Sequence, residues 1–97
     1  MGEEDAAAVA TPQQFKALGH PMRHRLLFAL GQGEATISQL AAALGSNKGN
    51  IAHHLKVLTD AGLITGDKRG RWIWYRLVPE RFDALRGALN TEQPNLA

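Results

Sequence analysis

Hydrophobic residues recur along this chain first at helical and then at strand spacing, with short polar signals between the blocks. Thr11-Pro12-Gln13-Gln14 joins a capping hydroxyl, a proline at the first helical position and a glutamine three residues after the cap. The helix predicted there buries Phe15 and Leu18 and stops at Gly19. His20-Pro21 opens a second helix carrying Leu26, Leu27 and Leu30, closed by Gly31. Thr36-Ile37-Ser38-Gln39 repeats the capping pattern, and Ile37, Leu40, Ala41 and Leu44 follow at intervals of three and four. Gly45-Ser46-Asn47 leaves room only for a tight turn, with Asn47 capping a fourth helix from about Lys48 to Ala61. Ile51, Leu55 and Leu58 form its inward stripe, and a left-handed Gly62 would fold Leu63 back on Leu58.

Beyond Gly62 the period changes to two. Leu63-Ile64-Thr65 and Arg71–Val78 flank a polar turn, Gly66-Asp67-Lys68-Arg69-Gly70, which predicts a hairpin with a basic tip. Ile73, Tyr75 and Leu77 fall on one strand face, and Trp72, Trp74 and Arg76 on the other. Pro79 starts a last helix whose stripe is Phe82, Leu85 and Leu89. The expected fold class is mainly α with a small β-hairpin, in the order α-α-α-α-β-β-α. Residues 1–10 read as a disordered acidic arm, 11–90 as the folded domain and 91–97 as a frayed tail.

Two helices joined by a three-residue turn and followed by a basic hairpin make a winged helix-turn-helix. At about 100° per residue with Ile51 inward, the opposite face of the fourth helix collects Gly49, Ala52, His53 and Lys56. Asn47, Lys48 and Asn50 sit at its N-terminal end, which enters a groove first. Asn50 suits adenine, Lys48 suits guanine acceptors and Ala52 suits a thymine methyl. Lys56, Lys68, Arg69 and Arg71 suit phosphates, which set affinity and register.

Charge supports that reading. Glu3, Glu4 and Asp5 put all the charge of the first ten residues on the negative side, so the rest of the chain has eleven basic side chains against six acidic ones. The excess gathers between residues 48 and 76, which suits a polyanionic partner. With 97 residues there is one domain's worth of chain and a modest core, which a dimer would supplement. The absence of cysteine excludes disulfides, thiolate metal sites and cysteine nucleophiles. Ser38 and Ser46 are the only serines and neither lies in a nucleophile motif, so no enzyme is expected. No secretory leader or membrane span is legible, which points to the cytoplasm.

The histidines read as structural or DNA-facing. His20 precedes Pro21 and caps a helix, while His53 and His54 diverge by about 100° and cannot chelate one ion together. His53 faces DNA and His54 the core. No metal site and no cofactor are expected. Phe15 and Leu18 with Phe82, Leu85 and Leu89 supply apolar surface suited to a dimer core.

Phe15–Arg23, Ile37–Ala41, Ile51–Leu58, Ala61–Ile64 and Gly70–Leu77, in that order and spacing, resemble the ArsR-type family of bacterial transcriptional regulators. The resemblance spans roughly residues 12–90. It implies a homodimer built from the first and last helices, binding double-stranded DNA at an imperfect palindrome in a promoter, usually as a repressor. Many such regulators release DNA on binding a metal. Where metal-sensing members often carry Cys-x-Cys, this chain has Thr36 and Ser38, and its last helix holds Glu80 and Asp83 without histidine. Both familiar metal sites are therefore missing, and no effector is legible. Lys48-Gly49-Asn50 also departs from the family's usual residues, which alters the expected operator. Two rival readings stand beside this one: a winged-helix protein-interaction module, marked by a large exposed apolar patch, and a metal-responsive repressor with non-cysteine ligands.

Overall fold

A computed structural model describes residues 11–83. Four helices come first: α1 (Pro12–Ala17), α2 (Pro21–Gly31), α3 (Ile37–Leu44) and α4 (Lys48–Asp60). Strands β1 (Ile64–Arg69) and β2 (Trp72–Leu77) then form an antiparallel hairpin, and residues 79–83 turn helical again. The chain is a winged helix-turn-helix. Leu85, Leu89, the acidic arm and the tail lie outside the described residues.

Each helix starts where its capping residues allow. Thr11 and Thr36 form reciprocal capping boxes with Gln14 and Gln39. His20 Nδ1 accepts from the Met22 amide at 3.0 Å, and Asn47 Oδ1 accepts from the Asn50 amide at 2.7 Å. The end of α4 closes as a Schellman motif: Leu63 N–H donates to the Leu58 carbonyl at 3.0 Å and Gly62 N–H to Thr59 at 2.9 Å. Gly62 adopts φ 79°, a left-handed conformation that costs a glycine little.

The core lies where α2, α3 and α4 meet the base of the hairpin. Leu26, Leu40, Ile51, Leu55, Leu58, Leu63 and Ile64 are all fully buried there. Fully burying one such side chain is worth roughly 1.5–3 kcal/mol. The expected stripe of α1 is corrected. Gln14 and Ala17 turn inward, whereas Phe15 is 42% exposed and Leu18 only partly buried. A six-residue helix buries one narrow face, and its capping box commits Gln14 to that face. The Gln14 amide nitrogen has no hydrogen-bond partner among the described residues.

The hairpin is also tighter than expected. Residues 66–69 belong to the strand, with Lys68 opposite Ile73 and Arg69 opposite Trp72. Only Gly70 and Arg71 form the turn; Gly70 has φ 62° and Arg71 a negative φ, as in a type II′ turn. Polar residues on a solvated strand read like loop, because cross-strand pairing rather than composition holds them. Gly66 has a separate reason to be glycine: a Cβ there would stand 3.0 Å from Ile73 and 3.2 Å from the Tyr75 ring.

Candidate nucleic-acid interface

Helix α4 separates its two faces sharply. Ile51, His54, Leu55 and Leu58 are buried, while Lys48, Gly49, Asn50, Ala52, His53 and Lys56 are all exposed with Asn47 at their head. One stripe is held by the core, so the other is presented at a fixed angle. Asn50 Nδ2 donates to Ser46 Oγ at 2.9 Å, and bidentate pairing with a base would exchange that bond. Lys56 pairs with Asp60 one turn on at 3.2 Å, both strongly exposed, a contact that water and salt screen heavily.

The hairpin stands beside this helix. On its near face Gly66, Ile73 and Tyr75 line a groove with Ala52, Lys56 and Thr59 of α4. Lys68 shares that strand face through its pairing with Ile73. On the far face Trp72 and Trp74 border Thr36, Ser38 and Gln39 at the start of α3. Lys68, Arg69 and Arg71 are exposed at the tip.

Arg69 is already engaged. Its Nη1 and Nη2 donate to Glu34 Oε2 and Oε1 at 2.7 and 2.8 Å, and its Nε donates to Asp67 Oδ2 at 3.0 Å. The guanidinium carbon stands 5.8 Å from the centre of the Trp74 ring, within cation–π reach. The Arg69 hydrogen bonds hold the Glu34 carboxyl below the usual carboxylate range, and the Glu34 and Asp67 bonds raise the Arg69 pKa in turn.

A second cluster fastens α4 from behind. Arg23 Nη1 donates to Nδ1 of buried His54 at 3.2 Å, and Arg23 Nε donates to the Ala17 carbonyl at 2.6 Å. The His20 ring centre lies 4.4 Å from that of His54, and His24 Nε2 meets the Leu18 carbonyl. Burial lowers the His54 pKa, with added repulsion from His20, Arg23 and His53. One arginine thus joins the end of α1, the start of α2 and α4.

All ten residues expected at the DNA face are exposed: seven lie on α4 and its cap and Lys68 on the strand face beside that helix, whereas Arg71 sits in the turn and Arg69 lies on the opposite strand face, bound to Glu34 and Asp67. Of the five expected at a dimer interface it describes Phe15, Leu18 and Phe82, of which Leu18 and Phe82 also pack on the core. Sequence reading missed Glu34 and Arg23. The side chains they engage are distant in sequence: Glu34 lies 35 positions from Arg69 and Arg23 lies 31 from His54, distances at which no periodicity operates.

The helix pair and the hairpin wing are those of a known regulator family. Residues 20–65 match the family described as "Bacterial regulatory protein, arsR family". The arsenical resistance operon repressor of Bacillus subtilis is 34% identical over 74 residues, covering 75% of this chain and 70% of that protein. The chain belongs to the ArsR family. Another relative is the HTH-type transcriptional regulator NmtR of Mycobacterium tuberculosis, 38% identical over 77 residues, covering 79% of this chain and 62% of NmtR. A solution structure from Mycobacterium bovis, described as a homodimeric winged helix-turn-helix DNA-binding domain, superposes with a TM-score of 0.69 at 27% identity, covering 88% of this chain and 82% of that one. This ArsR-family chain is a transcriptional regulator with a DNA-binding winged helix-turn-helix.

Proposed function

We propose that this ArsR-family regulator is a homodimeric repressor that reads a palindromic operator in double-stranded DNA. Each protomer inserts the start of α4 into the major groove and rests its wing on the backbone. The observation that carries this reading is the exposure of Lys48, Gly49, Asn50, Ala52, His53 and Lys56 on a helix whose other face is locked in the core. Lys48, Asn50 and Ala52 take the base-reading roles, Asn47 caps the helix end, Gly49 permits its close approach and His53 faces the DNA. Lys56, Lys68 and Arg71 meet phosphates. Repression is supported by the named role of the Bacillus subtilis relative, and dimerisation by the Mycobacterium bovis structure and by the exposure of the apolar Phe15 side chain. Its place of work is the cytoplasm, where promoter DNA lies.

Titration of the protein against a mixed-sequence duplex at stepped salt concentrations tests the electrostatic half of this reading. With about eight phosphate contacts per dimer, log affinity falls against log salt with a slope near about −7. A flat response contradicts it.

A further inference from the structure

The positive tip of the wing is less positive than its sequence, because Arg69 spends its guanidinium on two carboxylates of its own chain. Glu34 comes from the loop between α2 and α3, a segment held against the outer edge of β2. Ala35 and Tyr75 exchange two backbone hydrogen bonds there, at 3.0 and 2.8 Å. Glu34 is thereby fixed next to a sheet edge, and its carboxylate takes both terminal nitrogens of Arg69 in the parallel, bidentate arrangement. Asp67, Arg69, Trp72 and Trp74 share the strand face turned away from α4, so the Arg69 side chain passes over Trp74 on its way to Glu34. Isolated surface ion pairs contribute little to stability. This one is different in geometry rather than in depth: it ties the outer end of a two-stranded hairpin to the body of the domain.

The geometry points to Glu34 as a wing-positioning residue, acting through Arg69 as a strut that sets the angle between the wing and the reading helix. This role rests on the DNA-reading function proposed above. Arg69 then serves geometry, and Lys68 and Arg71 supply the phosphate contacts of the tip.

The sign of one substitution separates this from simple charge. Glu34→Gln removes a negative charge beside a DNA-binding surface and releases Arg69, so electrostatics alone would raise DNA affinity. Positioning demands the opposite: Glu34→Gln lowers affinity for a mixed-sequence duplex several-fold, with thermal midpoint unchanged. The double exchange Glu34→Arg with Arg69→Glu, which keeps the net charge and allows the pair to form reversed, recovers most of the loss. A DNA-free reading runs alongside. With Trp72→Phe in the background Trp74 is the only tryptophan, and Glu34→Gln shifts its emission to the red as the guanidinium leaves the ring. An unmoved emission, equal or tighter DNA binding by Glu34→Gln, or a double exchange no better than either single change would each overturn the strut. No DNA binding by the wild type would sink the DNA-reading function and the positioning role with it, whereas wild-type binding that Glu34→Gln leaves intact would sink the positioning role alone.

Discussion

At the residue scale the one buried titratable group among the described residues is His54, at 4% exposure with Nδ1 accepting from Arg23. Burial first, and then His20, Arg23 and His53, lower its folded pKa below the unfolded value of about 6.5. The unfolded chain therefore binds the proton more readily. Stability from neutral His54 is complete above about pH 6.5 and is lost as pH falls through the lowered folded value. Melting curves between about pH 7 and about pH 5 should show the wild type losing stability more steeply than His54→Gln, whose amide oxygen can accept from Arg23 but cannot titrate. Equal slopes would remove His54 from this role. Sequence alone placed His54 on the core side of α4 by its offset from Ile51. Its guanidinium partner was out of reach, because Arg23 arrives from another helix.

At the element scale the helix boundaries were the most legible part of the chain. Thr11, His20, Thr36 and Asn47 were each readable as caps, because capping chemistry operates within three residues. Asn47→Ala should cost about 1 kcal/mol, seen as a lower urea midpoint with an unchanged m-value. A midpoint equal to the wild type would mean that water replaces the cap at no cost. The hairpin was less legible. Asp67, Lys68 and Arg69 carry no apolar alternation, and their strand geometry comes from pairing with Trp74, Ile73 and Trp72 across the sheet. The α1 stripe misled for a related reason: Phe15 is the largest apolar residue of that helix, yet Gln14 holds the buried position. Burial there follows the capping geometry rather than hydrophobicity, which leaves Phe15 for another surface.

At the scale of the whole molecule the candidate site divides between what was local and what was not. The reading face of α4 followed from one helical period and one inward residue, Ile51. The wing's attachment through Glu34 did not, because it joins a loop to a strand tip across the sheet. The resulting regulator has a reading helix locked to the core by Ile51, Leu55 and Leu58, with Arg23 and His54 behind it and a wing strut beside it. A rigid reader of this kind should select a definite sequence, and a two-fold dimer should select it twice. Selection of duplexes from a random pool by the full chain tests that most directly. The account predicts an enriched inverted repeat with half-sites about one helical turn apart, lost in sharpness when Lys48 or Asn50 is replaced by alanine. A selected pool without a shared motif, or with a single unpaired half-site, would contradict it.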